Sequence, residues 1–258
     1  MPLFSGEALI LRTYKLGEAD RIVVFLSRDR GKKRGVAKGA RRTRSRFLGA
    51  LEPLTLASVA YFEREHRELV NLNYAESQRS PFSTTNPDAL GYVGYFAELI
   101  DEWCPDSDPN EKLYRLGAAA VDALVRSVPI EPLARYFEYW LLRLQGVYPS
   151  FSACRQCGDS LTSGGRLLGQ GHGFACVRCR PDSTNGTRLA GLPTGGSVMS
   201  ADAFAFLRTA ASIGPDQLGQ VPLSAGAARE LEVMHRLLIA GHLEKELRSS
   251  RILQELRQ

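Results

Sequence analysis

The sequence predicts an α+β protein of several domains: a small β-barrel, a bundle of helices and a cysteine module embedded in the helical part. Residues 1–80 contain five short runs rich in Val, Leu, Ile, Tyr and Phe, separated by Gly, Asp or charged breaks, which is typical of an all-β domain. From Ala89 onward the apolar residues recur every three or four positions, the period of a helix. Four of the five cysteines form two Cys-x-x-Cys pairs, a spacing that favours a metal site.

The barrel domain is predicted over residues 1–80. Its five apolar runs follow one another at intervals of about a dozen residues, which indicates neighbouring strands rather than strands alternating with helices. A small sandwich is the alternative, but five strands divide poorly between two sheets. A closed five-stranded barrel of the OB-fold type is therefore the predicted architecture.

A helical domain is predicted over residues 81–149 and 199–258. Asn86 or Asp88 can cap its first helix, and Pro87 suits the first turn. Short loops between the helices that follow indicate a packed bundle. Residues 150–198 interrupt this domain with many Gly, Ser and Thr and few large apolar side chains, which indicates a separate metal-binding module.

Cys154, Cys157, Cys176 and Cys179 form the two pairs, with eighteen residues between the second cysteine and the third. Each pair supplies two thiolates from one tight turn, and the interval is long enough for a hairpin that brings the pairs together around a tetrahedral ion. Four thiolates leave no open coordination position, so the sequence predicts one structural Zn²⁺. Two redox motifs or two disulfides are the alternative, although neither pair lies at a thioredoxin-like strand–helix junction.

Three further residues carry specific expectations. Gly158 follows the first cysteine pair, where a positive φ lets the backbone fold under a metal. His172 lies between the pairs and is expected to be an exposed hairpin residue rather than a ligand. Cys104 ends an apolar helix face and is expected to lie in the core.

The positive charge of the chain is local. The formal net charge is +5, but residues 31–47, GKKRGVAKGARRTRSRF, carry +8 and no acid, so the other residues sum to −3. A concentrated basic block on an otherwise slightly acidic protein indicates a surface that faces a polyanion. A solvated or disordered loop is the alternative, and the tract can also consist of two pieces, a strand over GKKRGVAK and a loop over RRTRSR.

Confinement between predicted strands favours a functional interpretation of this tract. Gly31, Gly35 and Gly39 let the backbone approach a ligand closely. Cations along a groove, with aromatic side chains for base stacking, are how OB-folds bind single-stranded nucleic acid, although each aromatic alone is more often a core residue. The nearby aromatics are Tyr14, Phe25, Phe47, Tyr61 and Phe62.

Enzyme and membrane classes are disfavoured. The sequence lacks a phosphate-binding loop, a dinucleotide fingerprint, a nucleophile elbow and a zinc-protease motif. The paired acids Asp101 and Glu102 are interpreted as a solvated helix face. No run of 18 apolar residues occurs, and the N-terminus lacks the features of a signal peptide, so a cytoplasmic protein that is not an enzyme is expected.

Two segments carry a family resemblance. GEADRIVVFLSRDRGKKRGVAKGARRTRSRFLGALEP and RYFEYWLLRLQGVYPSFSACRQCG resemble the RecO family of bacterial DNA repair proteins, and the order of barrel, helical domain and zinc module is similar from end to end. The cysteine quartet is similar to that of the zinc-containing members. The resemblance implies a nucleoid-associated recombination mediator that performs no bond-breaking chemistry.

The resemblance also implies partners and DNA contacts. Such a protein binds single- and double-stranded DNA, anneals complementary strands and works with RecR. It helps to load RecA onto strands covered by the single-strand-binding protein SSB, whose acidic tail the helical domain engages, in the pathway associated with RecF. Lys15 and Arg21, near the barrel mouth, are weaker candidates for DNA contact. The implied DNA contacts are Lys32, Lys33, Arg34, Lys38, Arg41, Arg42, Arg44 and Arg46.

Two other functions stay open at this point. One is a zinc-containing RNA-binding adaptor with an OB-fold, such as a translation or ribosome factor. The other is an enzyme that uses cysteine chemistry, which a closed structural metal site would exclude.

Overall fold

The structure is a computed structural model and describes residues 2–64, 67–179 and 197–255. The chain divides into two compact units: the first consists of Met1–Ser127 and Leu247–Gln258, and the second of Val128–Glu246. The helices that directly follow the barrel thus group with it. The domain boundaries predicted at residues 80, 149 and 198 follow changes of composition, and they stay a prediction.

The first unit contains a closed five-stranded barrel. β1 (Leu3–Leu16) pairs antiparallel with β2 (Asp20–Ser27) and with β4 (Leu56–Phe62). β2 pairs antiparallel with β3 (Gly31–Ala37), and β4 with β5 (Leu69–Arg79). β3 and β5 pair in parallel, which gives the closed order β1-β2-β3-β5-β4. This five-stranded barrel is of the OB-fold type and confirms the predicted fold class.

The barrel encloses its own apolar core. Successive side chains of a strand point to opposite faces, so Val23 and Phe25 of β2 lie in the core together with Ile10 of β1 and Tyr61 of β4. The segment after β3 contributes as well, because Phe47 lies in the same cluster and is only 2% exposed. Buried side chains therefore anchor this segment to the barrel.

Gly31 begins β3 in a conformation that favours glycine. Its φ is +70°, and a Cβ built there would lie 2.3 Å from the carbonyl oxygen of Asp108. The chain comes this close because Ser107 donates its backbone N–H to the carbonyl oxygen of Lys32 at 2.8 Å. Glycine thus lets the segment around residues 107–108 lie directly on the strand.

Replacing Gly31 by alanine is expected to lower the free energy of unfolding by at least about 2 kcal/mol, because a left-handed backbone costs an L-residue about 1–2 kcal/mol and the new Cβ meets backbone atoms. Gly17 is the matched control: its φ is +57°, and nothing lies within 4 Å of a Cβ built on it. Gly17→Ala should therefore cost only the conformational part. Urea unfolding of both variants measures the difference, and equal losses would contradict a close approach at Gly31.

The described chain contains six helices. The first unit holds the first two and the last of them, and the second unit holds the other three. None of the six is long and apolar enough to cross a membrane. The helices are α1 (Pro87–Trp103), α2 (Glu111–Val125), α3 (Ile130–Leu144), α4 (Ala201–Ala210), α5 (Ala225–Leu243) and α6 (Arg248–Glu255).

In the first unit, α1 packs against β1, α2 and α6. Gly117 permits the close approach of α2, because a Cβ at this position would lie 2.5 Å from Leu9 and 2.9 Å from Ile100. The carboxylate of Glu98 on α1 accepts the backbone N–H of Ser249 at 2.8 Å. This bond fixes α6 to α1 although the two residues are 151 positions apart in the sequence.

In the second unit, α3 and α5 pack together around a buried charged cluster. The Glu138 carboxylate lies 3.2 Å from Nη1 of Arg135 and 2.8 Å from Nδ1 of His235. The other ring nitrogen of His235 lies 3.1 Å from the hydroxyl of Tyr148. Burial lowers the pKa of His235, and the hydrogen bond to Glu138 opposes this shift.

The cysteine module of the second unit is built on a small sheet. β6 (Gly165–Leu167) pairs antiparallel with β7 (Phe174–Cys176) and with β8 (Val198–Met199). The ring of Phe174 packs edge-on against that of Phe204 on α4, with centroids 5.1 Å apart. β6 and β7 form the hairpin that the cysteine spacing predicts.

Candidate nucleic-acid interface and metal centre

The basic tract 31–47 consists of two structural pieces. Residues 31–37 form β3, and residues 38–46, here called the basic loop, form turns that are followed by the buried Phe47. The interpretation of the tract as a strand followed by a loop is therefore correct. Its eight cations fall into two groups with different surroundings.

Two lysines of β3 have carboxylate partners within the first unit. Lys32 is buried, and its Nζ donates to the carbonyl oxygen of Asp101 at 2.7 Å and lies 3.3 Å from the Asp101 carboxylate. Lys33 donates from Nζ to Glu63 at 2.8 Å. Contact of these two lysines with DNA stays a prediction, but their charges are already neutralised inside the protein.

Asp101 has a different role from the one that its sequence context indicates. Its side chain is not solvated but mostly buried, and it binds Arg12 at 3.2 Å as well as Lys32. Asp106 adds to this cluster, since it lies 3.5 Å from Lys32 and 3.7 Å from the exposed Arg34. Periodicity could not reveal the pairing of Lys32 with Asp101, because 69 residues separate them.

The basic loop presents five cations to solvent. At the end of the loop the exposed Arg46 is followed directly by the buried Phe47. The loop is thus an exposed surface with a buried anchor. Its exposed cations are Lys38, Arg41, Arg42, Arg44 and Arg46.

Hydrogen bonds fix the basic loop to the turn between β1 and β2. Arg41 donates from Nη1 to the carbonyl oxygens of Gly17 at 2.9 Å and Glu18 at 3.0 Å. Gly39 donates its backbone N–H to the Asp20 carboxylate at 2.8 Å. Arg41 therefore holds the loop in place in addition to contributing its charge.

The barrel mouth carries two more cations at the same end. Lys15 of β1 pairs with Arg21 of β2, and Arg21 pairs with Ala37, the last residue before the basic loop. Neighbouring strands lie about 4.8 Å apart, so these positions adjoin the start of the loop. The structure thus brings the two weaker candidates together with the five exposed loop cations.

The aromatic residues divide between core and surface. Phe25, Phe47 and Tyr61 lie in the barrel core, which confirms the more common role of such residues. Phe62 is half-buried, on the opposite side of its strand from Tyr61. Tyr14, on β1, is 47% exposed. Among these five, Tyr14 is the one whose ring is open to solvent.

The four cysteines form one cluster whose sulfur atoms all lie within 4.8 Å of one another, and this cluster could hold a metal ion. The Sγ of Cys154 lies 3.8 Å from that of Cys179, and Cys176 lies 3.7 Å from both Cys157 and Cys179. A tetrahedral ion with metal–sulfur bonds of about 2.3 Å requires sulfur atoms about 3.8 Å apart. The donor set and its spacing therefore fit a four-coordinate thiolate site. Residues 180–196 of the predicted module lie outside the described residues.

Backbone N–H groups favour the thiolate form of Cys154. Burial raises the pKa of Cys154, but N–H groups including that of Cys176, 3.2 Å from the sulfur, outweigh it and bring the pKa to about 6. A thiolate is the form that binds metal. Gly158 has φ +76°, as expected for the residue that follows the first pair. Asp159 accepts from Cys157 at 3.2 Å and pairs with Arg178.

Two residues outside the quartet behave as the sequence indicates. Cys104 is buried in the first unit, as expected for a core residue. This burial raises the pKa of its thiol to about 11. His172 is exposed and is not among the clustered ligands.

Models of one family match both parts of the chain. The model described as "Recombination protein O N terminal" matches residues 1–81, and the model described as "Recombination protein O C terminal" matches residues 84–251. Together they cover the barrel, the helices and the cysteine cluster.

Similar proteins carry the name DNA repair protein RecO. The protein from Koribacter versatilis is 43% identical over 161 residues, which is 62% of this chain and 65% of that protein. The protein from Anaeromyxobacter sp. strain K is 33% identical over 251 residues, 96% of this chain and 94% of its own length. The Bifidobacterium adolescentis protein is 33% identical over 98% of this chain and 100% of its own. The chain therefore belongs to the RecO family of DNA repair proteins.

Proposed function

We propose that this protein is a DNA-binding recombination mediator that anneals complementary single strands and helps to load RecA onto SSB-coated single-stranded DNA. The observation that carries the proposal is the basic loop, whose five exposed cations lie on a segment fixed by Arg41 at one side and by buried Phe47 at the other. A fixed loop loses little conformational freedom on binding, so more of its attraction for phosphate is retained as affinity. Because the family consists of DNA repair proteins, DNA is the polyanion that we propose for this surface.

Charge neutralisation is the proposed basis of annealing. Two complementary strands repel each other through their phosphates, and cations that contact both strands replace condensed counterions and reduce that repulsion. If the five loop cations contact five phosphates of a single strand, the logarithm of the binding constant should fall with the logarithm of salt concentration with a slope of about −3.5. This mechanism uses no ATP and changes no covalent bond, so we propose that the protein is not an enzyme.

The acid–base pair formed by Glu138 and His235 is assigned a structural role. Both side chains are buried between α3 and α5, and the hydroxyl of Tyr148 occupies the remaining ring nitrogen of the histidine. Buried side chains cannot reach the backbone or the bases of a nucleic acid. This pair therefore stabilises the second unit and takes no part in the proposed activity.

The proposed metal is one structural Zn²⁺, held by Cys154, Cys157, Cys176 and Cys179. Zinc prefers tetrahedral thiolate sites with the sulfur spacing that these residues have. When bound, the ion would cross-link the two cysteine pairs and leave no position for substrate. The four cysteines would supply the thiolates, and the backbone N–H groups around Cys154 support the negative charge of that sulfur.

The proposed partners follow from the family resemblance rather than from a surface of this chain. They are RecR and SSB, together with RecF and RecA in the same pathway of recombinational repair. Because its substrate is chromosomal DNA, we propose that the protein associates with the nucleoid.

The RNA-binding adaptor is the less favoured function, because the relatives are DNA repair proteins. Competition between single-stranded DNA and RNA of the same sequence separates the two functions. We expect DNA to be bound at least as tightly as RNA. A preference for RNA of more than about tenfold, equal to about 1.4 kcal/mol, would favour the adaptor.

Replacing Arg42 and Arg44 together by alanine tests the basic loop, while Arg41 is kept because it fixes the loop. Loss of two phosphate contacts should weaken single-strand binding at low salt about tenfold and change the salt slope from about −3.5 to about −2. Annealing of two labelled complementary oligonucleotides should slow in parallel. Fluorescence anisotropy at several salt concentrations and a fluorescence-transfer annealing assay measure these effects.

The matched control removes the same charge from α2. Lys112 and Arg115 are exposed there, and their replacement by alanine should leave both the salt slope and the annealing rate unchanged. If the loop variant anneals like the wild type at every salt concentration, the basic loop is not the DNA contact. If the control loses as much as the loop variant, only net charge matters.

A further inference from the structure

An apolar row lies on the outer surface of the barrel, and the proposed phosphate contacts do not use it. Tyr14 of β1 pairs with Ile22 of β2, and Ile22 pairs with Val36 of β3. The neighbouring residues Val23 and Ala37 belong to the barrel core. Because side chains alternate along a strand, the row points outward. Its members are exposed or half-buried.

The row lies where the buried part of the outer face of β2 ends. Val24 and Leu26 follow Ile22 on the same side of β2, and both are buried although they are not members of the barrel core cluster. Towards the start of β2 the burial of this face decreases, and Ile22 is half-buried. Three adjacent strands thus leave an apolar strip that meets water.

A chain of ionic contacts positions the ring of Tyr14. Arg12 donates from Nη1 to the Tyr14 hydroxyl at 3.3 Å, and its Nη2 lies 3.2 Å from one carboxylate oxygen of Asp101. The other carboxylate oxygen of Asp101 lies 3.3 Å from Nζ of Lys32. Lys32 therefore helps to fix the Asp101 carboxylate, which in turn fixes Arg12. This buried lysine of the basic tract thus has a structural role.

Cations border the row on the side of the barrel mouth. Lys15 follows Tyr14 directly on β1, Arg21 precedes Ile22 on β2, and the two are cross-strand partners. The turn that joins these strands is the one to which Arg41 fixes the basic loop. An apolar strip with an exposed aromatic ring thus adjoins the most positive part of the barrel.

We propose that the row of Tyr14, Ile22 and Val36 is a stacking subsite for unpaired nucleobases of single-stranded DNA. The inference deepens the proposed function and rests on it, because it needs the strand's phosphates to be held at the basic loop. The ring of Tyr14 offers a face for one base, and the two aliphatic side chains provide an apolar floor beside it. Bases of a duplex are already stacked and cannot use this subsite, so it favours single strands over duplex.

Three ligands of equal length separate base contacts from phosphate contacts: a thymidine oligonucleotide, an abasic oligomer with the same number of phosphates, and a blunt duplex. Binding of each to the full chain is followed by fluorescence anisotropy. Tyr14→Ala is expected to weaken binding of the thymidine oligonucleotide about tenfold, and to leave the other two affinities unchanged within about twofold. Tyr14→Phe keeps the ring and loses only the hydroxyl that accepts from Arg12, so it should weaken binding of the thymidine oligonucleotide much less than Tyr14→Ala and leave the other two affinities unchanged.

Tyr74→Ala is the matched control, since Tyr74 is 42% exposed on β5 and bonds to Glu76 instead of adjoining cations. It should change none of the three affinities. The stacking subsite is overturned if Tyr14→Ala binds the thymidine oligonucleotide as tightly as the wild type does, or if it loses equal affinity for all three ligands. In either case, binding by the wild type would still support the basic loop as the phosphate contact. Failure of the wild type to bind any of the three overturns the proposed function and the subsite together.

Photocross-linking of the wild-type chain gives a second test that needs no variant. An oligonucleotide with 5-iodouracil at a single position is bound and irradiated, and the linked peptide is identified by mass spectrometry. We expect the cross-link within β1, at Tyr14. Cross-links confined to segments outside β1, β2 and β3 overturn the proposal.

Discussion

Replacing Cys154 by serine is expected to weaken metal binding at least about a hundredfold, which is the upper range for loss of a supporting residue, and to unfold the cysteine module. The reason is local: the module has few large apolar side chains, and β6 has only three residues. In such a segment the free energy of metal binding is also the free energy of folding. Metal content by mass spectrometry and thermal unfolding with and without chelator measure the two effects.

Cys104→Ala is the matched control, because Cys104 is a buried cysteine of the first unit and is not among the four clustered cysteines. This variant should keep its metal and lose only a small amount of stability. Chelation of the wild type should reproduce the melting behaviour of Cys154→Ser. A serine variant with unchanged metal content and melting temperature would show that the cluster is not a structural metal site.

Replacing Glu138 by alanine is expected to lower the free energy of unfolding of the second unit by about 3–5 kcal/mol, the usual cost of removing one partner from a buried ion pair. Glu138 lies between two buried groups, Arg135 at 3.2 Å and His235 at 2.8 Å. Its removal takes away the carboxylate that lies 3.2 Å from the Arg135 guanidinium in a place that water cannot solvate, and only part of that neutralisation is left to Glu131 and Glu232, which also interact with Arg135. Urea unfolding, followed by the fluorescence of Trp140 on α3, measures the loss.

Two further variants test the cause of this loss. In Glu138→Ala with Arg135→Met the buried cation is also removed, so part of the stability should return, because apolar side chains often replace a buried ion pair without cost. Glu246→Ala removes an exposed acid of the same unit and should have little effect. If the double variant is no more stable than Glu138→Ala, the loss comes from packing rather than from weaker neutralisation of the Arg135 charge.

The barrel and the metal cluster could be predicted because their signals are local. Strand period and turn residues lie within a few positions of each other, and five strands leave few architectures. Each cysteine pair occupies one turn, and the eighteen-residue interval requires little more than the β6–β7 hairpin to bring Cys157 to Cys176. Spacing alone therefore predicted both the clustering of the four cysteines and the hairpin.

The basic tract could be predicted only in part, because the partners of its cations come from distant segments. Nothing near Lys32 in the sequence shows that Asp101 will face it, since α1 must first pack on the barrel. The number of cations in residues 31–47 is thus larger than the number that can reach a polyanion. Within the loop, by contrast, all four arginines are exposed, and the sequence pattern corresponds to the exposed surface.

Tyr14 shows the same limit for aromatic residues. Five aromatic residues lie near the tract in the predicted barrel, but the sequence does not show which of them are buried and which are exposed. The alternation along a strand does not indicate which parts of its outer face other segments will bury. The outer face of β2 changes from buried at Val24 to half-buried at Ile22, and strand periodicity does not indicate this change. The candidate stacking residue therefore follows from the tertiary structure and not from periodicity.

The bond between Ser249 and Glu98 has a consequence for how the chain is synthesised. The first unit receives its last helix only after the ribosome has translated the whole of the second unit, residues 128–246. At about 5–20 residues per second, the nascent barrel waits roughly 6–24 s before α6 can dock. During this interval the surface of α1 that later contacts α6 is exposed. Docking of α6 can therefore complete the first unit only after the ribosome has synthesised the second.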